Sequence, residues 1–288
     1  MKGDYFIPCR RVRFETPKKV LLDGLWFGPK KPEQVIVFVH GLSSSTFSMS
    51  SLVNALTDEN TAVLTFNNRG FEKVSKMRLA GKRKWILVGG AHEVFTDCLD
   101  DINGAVRFVQ GKGVRTVYLA GSSTGCQKSV YWAYKSKKKG VKGLILLAPL
   151  SDYTISKDDK EKVGRALKVA KRLVRAGKHH ELLPLSVWPQ LQDAQRFLSL
   201  YSGDSQEEIF TYWDPKRKAK TLESVRLPVL VLLAEKDEYA DRPAQKIGDW
   251  FAEHLKIGDE IVVVPRVGHS FKGAEKQVAR HVKRFIGT

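Results

Sequence analysis

The sequence predicts an α/β fold: a mostly parallel central sheet flanked by helices, with a helical cap inserted late in the chain. Three observations carry that prediction. Continuous apolar runs at 34–39 and 227–234 read as strands buried on both faces, the signature of a parallel sheet. Segments with helical periodicity alternate with these strands, as crossover connections require. Between 150 and 226 that alternation gives way to helical pattern alone. The expected layout is a core of 1–149 and 227–288, with 150–226 as the cap insertion.

Taken in order, residues 5–15 and 19–27 read as two antiparallel strands, closed by the Gly28-Pro29 turn. The apolar strand at 34–39 follows and runs into His40-Gly41-Leu42-Ser43. A helix is expected over 48–57, and a strand over 62–66 that enters the polar turn Asn67-Asn68-Arg69-Gly70. A basic, mobile loop is expected from there to about Gly90. Apolar residues at Val94, Cys98, Ile102, Ala105, Val106 and Val109 carry the helical period. The run 114–120 is β-type, 141–148 is the strand after the next helix, and 261–265 is the last strand. Within the insertion, 158–176 reads as a basic amphipathic helix with Val163, Ala166, Leu167, Ala170 and Val174 on one face. Residues 187–201 and 206–212 read as shorter helices. Trp188, Phe197, Tyr201, Phe210, Tyr212 and Trp213 are candidates for an apolar pocket, although aromatics at helical spacing more often serve a core.

The chemistry concentrates at three strand ends. Gly121-Ser122-Ser123-Thr124-Gly125 lies between the strand at 114–120 and a helical segment, and it has the Gly-x-Ser-x-Gly form of a nucleophile elbow. In such a turn the central residue takes a strained backbone conformation, and the flanking glycines avoid collisions with the neighbouring strand and helix. Its central hydroxyl is Ser123; Ser122 is off-centre. A serine hydroxyl is a weak nucleophile at neutral pH, so an imidazole must take its proton and a carboxylate must orient that imidazole. The strand at 227–234 ends in Glu235-Lys236-Asp237-Glu238, and the strand at 261–265 is followed by Gly268-His269-Ser270. Ser123 is therefore the candidate nucleophile, His269 the general base and then acid, and Asp237 the orienting carboxylate, with Glu238 next in line and Glu235 and Asp241 also nearby. His92, His179, His180, His254 and His281 have no comparable setting. The backbone N–H groups of Leu42, after His40-Gly41, and of Thr124, after the nucleophile, are the candidate oxyanion donors.

These pieces, in the order Ser, Asp, His, resemble the α/β-hydrolase superfamily over nearly the whole chain. The stretches Ser123-Thr124-Gly125-Cys126-Gln127 and Glu93-Val94-Phe95-Thr96-Asp97-Cys98, the latter followed by Asp100-Asp101-Ile102, resemble a narrower subfamily that includes fungal siderophore esterases. The resemblance implies the fold, and the triad at Ser123, Asp237 and His269. It implies no substrate, because no siderophore-specific residue is visible. Ser122 stands where many relatives have histidine, which is expected to alter packing near the site rather than remove the chemistry.

Composition bounds the alternatives. At 288 residues the chain can bury one substantial α/β core with an insertion. It has no apolar run of about 18 residues that could span a membrane. Its first residues lack a signal peptide's apolar region, and its three widely spaced cysteines read as reduced thiols, so a cytoplasmic location is expected. Cys126, close to the nucleophile, reads as a packing residue. The formal charge of +18 is spread over several lysine-rich stretches without a stacking motif, a helix-turn-helix or a zinc knuckle, so no specific nucleic-acid partner is expected. Steering of an anionic substrate is the more natural use of that charge. No P-loop, dinucleotide fingerprint or metal-ligand spacing is present, and no cofactor and no metal are expected. The leading reading is an esterase acting through an acyl-enzyme on a carboxylic ester or thioester. The alternatives are a catalytically silent binding protein on the same fold, and a basic adaptor for anionic partners.

Overall fold

The computed structural model describes residues 7–136, 140–155 and 160–287. The first strand, β1, is Cys9–Glu15, and it pairs antiparallel with β2, Leu21–Phe27. The expected starts of the first strand at Tyr5 and of the insertion's helix at Asp158 lie outside the described residues. After β3 (Gln34–Val39) come α1 (Ser50–Leu56) and β4 (Thr61–Phe66), with every residue of β3 and β4 buried. Two short strands follow, β5 (Ser75–Arg78) and β6 (Trp85–Val88). Helix α2 (Cys98–Gly111), β7 (Thr116–Ser122), α3 (Thr124–Lys135) and β8 (Val141–Leu147) complete the first half. The insertion holds α4 (Asp152–Ile155), α5 (Lys160–Arg175), α6 (Ala194–Tyr201) and α7 (Lys220–Glu223). The chain then forms β9 (Val229–Ala234), α8 (Ala244–His254), β10 (Glu260–Val264) and α9 (Glu275–Ile286).

The main sheet has eight strands in the order β1-β2-β4-β3-β7-β8-β9-β10, parallel from β4 to β10 and antiparallel at the β1-β2-β4 edge. Its two faces feed two apolar clusters. One, under α2, α3 and α8, gathers Val37, Leu119, Ile102 and Phe251; the other, under α1 and α9, gathers Phe38, Leu52, Leu232 and Val278. The buried stripe of α9, Val278, Ala279, Val282 and Ile286, has the spacing that turns one helical face inward. The central strands therefore need apolar residues on both faces, which is why their sequences are continuous rather than alternating.

Three expectations are corrected. The stretch to Gly90 is not a simple loop: β5 and β6 form an antiparallel hairpin, with Met77 opposite Ile86. Met77 is buried while Lys76 and Arg78 are exposed, so a true strand alternation is hidden inside a lysine-rich stretch. Helix is confined to Ala194–Tyr201 within 187–201, because Pro189 interrupts the pattern and Asp193 caps α6 by accepting the Arg196 N–H at 2.8 Å. Residues 206–212 are not helical; Glu207 turns into a buried ion pair with Arg196 instead.

The insertion packs in two parts. Val163, Ala166, Ala170, Trp188, Phe197 and Tyr201 form a third cluster, against which Leu42 also packs. Ile209, Phe210, Tyr212, Leu222 and Val225 belong to the main core instead. Of the six aromatics considered for a pocket, Tyr201 reaches the cavity described below, whereas Phe210 packs on Phe251 and Tyr212 on Trp250.

Candidate active site

Ser123 sits at the junction of β7 and α3 with φ 54° and ψ −128°, a left-handed conformation that a residue with a side chain rarely adopts. Such strain costs about 1–3 kcal/mol and persists only where the surroundings impose it. Here they do. The Ser123 N–H donates to the Leu147 carbonyl at 2.9 Å, and its own carbonyl accepts the Cys126 N–H at 2.8 Å. A Cβ on Gly121 would run into the Gly125 carbonyl, and one on Gly125 into the carbonyl of Val39. The glycines let α3 start directly against β7 and β3.

The loop after β3 comes equally close. A Cβ on Gly41 would lie 2.9 Å from the Ser123 Cβ. His40 sets this loop: its Nδ1–H donates to the Gly41 carbonyl at 2.8 Å, and its Nε2 accepts the Asn68 N–H at 3.2 Å. Burial, reinforced by the nearby Lys128 charge, lowers the His40 pKa to about 3, so the ring is neutral and holds this tautomer. The Leu42 N–H has no hydrogen-bond partner among the described residues. Thr124 opens α3, so its N–H is one of the helix's free terminal donors.

The acids after β9 separate into distinct roles. Asp237 Oδ2 accepts the His269 Nδ1–H at 2.8 Å, and its Oδ1 accepts the Tyr239 N–H at 3.0 Å. Glu238 accepts the His269 backbone N–H at 2.9 Å, a bond that holds its carboxyl below the ordinary value. Glu235 accepts the Arg266 N–H at 2.7 Å. The Tyr239 ring stands edge-on to the imidazole, 4.9 Å between centroids. Ser123 and His269 line one cavity of about 580 Å³, with Gly41, Leu42, Met49, Asp152, Gln190, Tyr201 and Tyr239 around them. That volume suits a small-molecule site. Thus Ser123, His269 and Leu42 come together there, with Asp237 behind the histidine. Among the other histidines, His92 and His180 share the buried Asp193, and His254 pairs with Glu223.

A buried charged network beneath the site was not visible to sequence reasoning. Lys128 and Arg196, both fully buried, converge on Glu93, at 2.5 and 2.9 Å. Burial opposes ionisation of Glu93, but the two cations outweigh it and lower its pKa. Arg69 binds Asp97, Asp100 and Asp101 and seats its N–H on Asp101 at 2.8 Å. The two motifs Glu93…Asp97 and Asp100-Asp101 therefore anchor the polar turn after β4. Gln127 donates to the Leu150 carbonyl at 2.8 Å and to Asp152 at 3.1 Å. The available signal for Asp152 was the glutamine of Ser-Thr-Gly-Cys-Gln, a buried amide that needs a partner. Cys98 and Cys126 are buried and their thiols are pushed up by desolvation, which makes them packing residues.

Residues 93–284 match the family described as Protein of unknown function (DUF1749). The chain belongs to the DUF1749 family. The matched region of this DUF1749 protein runs from Glu93 through the elbow and the insertion to α9. No curated protein matches it. Among solved structures it is similar to the esterase Pf2001 of Pyrococcus furiosus, at 14% identity and TM-score 0.60, covering 100% of this chain and 95% of that one. It is similar to the alpha/beta hydrolase GrgF from Penicillium sp. sh18, at 16% identity and TM-score 0.69, covering 98% of this chain and 100% of that one. It is also similar to the carboxylesterase CesB of Bacillus subtilis, at 19% identity and TM-score 0.57, covering 98% and 93%. The DUF1749 protein thus has the α/β-hydrolase fold. Among the described residues, no helix is long and apolar enough to cross a membrane.

Proposed function

We propose that this protein is a serine hydrolase that cleaves a carboxylic ester, or a thioester, through an acyl-enzyme. The observation that carries this reading is the strained Ser123 in the same cavity as His269, whose ring is held by Asp237. In the first half-reaction Ser123 Oγ attacks the carbonyl carbon while its proton passes to His269 Nε2. The oxyanion that forms is met by the Leu42 and Thr124 N–H groups. Two such donors in a sheltered site lower the barrier by several kcal/mol, about 3 each. Collapse expels the alcohol, which takes the proton from His269. In the second half, His269 deprotonates a water that attacks the acyl carbonyl, and the acid leaves with Ser123 restored. No cofactor or metal enters these steps.

The insertion acts as the cap. Its cluster around Phe197 packs against Leu42, so it covers the oxyanion loop and supplies Tyr201 and Gln190 to the cavity. Among the described residues, neither lysine nor arginine lines that cavity. A silent binding protein on this fold would have no use for the positioned Asp237–His269 pair. The test is hydrolysis of short-chain p-nitrophenyl esters and their thioester analogues by the purified protein. Turnover that Ser123→Ala abolishes supports the reading; turnover that survives the substitution in a pure sample overturns it.

A further inference from the structure

The catalytic steps give Asp152, on the wall of the cavity, no role. Asp152 is the sole carboxylate among the cavity's described lining residues and is 8% exposed. One of its oxygens, Oδ2, takes the Gln127 amide at 3.1 Å, and Gln127 is itself anchored on the Leu150 carbonyl. Its Oδ1 has no hydrogen-bond partner, and no cationic side chain among the described residues is paired with it. A buried, oriented carboxylate with one open oxygen, on the wall of a substrate cavity, is built to meet a group from outside.

The charges behind it say which group. Four carboxylates gather in this part of the molecule: Glu93, Glu207, Glu208 and Asp152. The buried cations among them are Lys128 and Arg196, and both are already spent on Glu93 and Glu207. Burial and the neighbouring Glu207 therefore push the Asp152 carboxyl well above its ordinary value. Among the described residues the cavity wall around Asp152 offers no lysine or arginine: its other lining groups are serines, Tyr201, Tyr239, Gln190, apolar side chains and His269. A ligand bringing an ammonium would supply the missing charge and N–H donors together.

We infer that Asp152 is a specificity-determining residue that selects esters carrying an ammonium group on one side of the scissile bond. This rests on the ester-hydrolase reading above and names the substrate class for that same cavity. It runs against the +18 surface, which favours approach of anions. Long-range repulsion is screened within about 8 Å at physiological salt, whereas a buried pair is screened much less.

The test uses isosteric substrate pairs that differ in charge alone. On the acyl side the pair is p-nitrophenyl 6-aminohexanoate and p-nitrophenyl heptanoate; on the alcohol side it is 6-aminohexyl acetate and heptyl acetate. The wild type should favour the ammonium member of at least one pair by about tenfold or more in kcat/KM, the scale of a charge-assisted hydrogen bond. Asp152→Asn keeps the shape and the Gln127 contact. It should erase that preference while leaving hydrolysis of the neutral esters within about threefold. Hexylammonium should inhibit neutral-ester hydrolysis competitively in the wild type and not in Asp152→Asn, whereas hexanoate should inhibit neither. Equal turnover within both pairs, or a preference that survives Asp152→Asn, overturns the inference and leaves the esterase intact. Absence of turnover on all four esters, with Ser123 unreactive, removes the esterase reading itself.

Discussion

Asp237→Asn is the substitution whose consequence the geometry specifies most closely. In the native site, Asp237 Oδ2 accepts the His269 Nδ1–H at 2.8 Å while Oδ1 is held by the Tyr239 N–H at 3.0 Å. An asparagine keeps its carbonyl oxygen where the Tyr239 N–H needs an acceptor, so its NH₂ faces Nδ1. The imidazole must then accept at Nδ1 and carry its proton on Nε2, the atom that receives the proton of Ser123 in the proposed mechanism. The base is lost without any change of shape. A tautomer error of this kind costs about ten-thousand-fold in kcat, or about 5–6 kcal/mol of barrier. Glu238→Gln is the matched control. Glu238 touches the same histidine through its backbone N–H at 2.9 Å, and glutamine still offers an oxygen there. What is lost is the charge on an exposed bond, about 1 kcal/mol, so kcat should stay within about tenfold. The assay is steady-state hydrolysis of a p-nitrophenyl ester, with circular dichroism confirming that both variants fold. Equal damage from the two substitutions, or more than a tenth of native activity in Asp237→Asn, would refute the assignment of roles.

Three further outcomes follow from the packing and the buried charges. Gly125→Ala forces a Cβ into the Val39 carbonyl between α3 and β3, and urea unfolding should show a loss of about 1–3 kcal/mol together with lower activity. Glu93→Gln leaves Lys128 and Arg196 without a shared anion in the interior, and should cost about 3–5 kcal/mol in the same experiment, a large share of a typical domain's stability. Glu208 is the pH-dependent case: burial raises its pKa from 4.5 to about 7. The native state then keeps a proton that the unfolded chain releases, so this group's contribution to stability falls as pH rises between those values and is flat above them. Urea unfolding near pH 5 and near pH 8 should show the wild type losing stability relative to Glu208→Gln at the higher pH; a difference that does not change with pH would contradict it.

The parallel core was legible because strands such as β3 and β9 are buried on both faces and so must be written in continuous apolar residues. The elbow was legible because Gly121 and Gly125 are steric necessities, each with a carbonyl where a Cβ would stand. Two other features were hidden for opposite reasons. The β5–β6 hairpin buries little beyond Met77 and Val88, so its alternation is weak against a background of lysine and arginine. The segment 206–212 has helical spacing, but Glu207 and Glu208 obtain more from Arg196, Ser151 and Trp213 than a helix would provide. Choosing between Asp237 and Glu238 required coordinates, because both reach His269 and only the atoms they meet differ. Asp152 carries no mark in its own neighbourhood of the sequence: the one signal was Gln127, whose partner only the fold identifies, and Arg196 acts on it from far along the chain.

In the proposed function Ser123 is an activated nucleophile. The most direct measurement of this is labelling with a fluorophosphonate, followed by mass spectrometry of the adduct and repeated on Ser123→Ala. One adduct is expected, on Ser123, absent from the variant and strongly slowed in Asp237→Asn. Folded protein that stays unlabelled, or an adduct on any other residue, would contradict it.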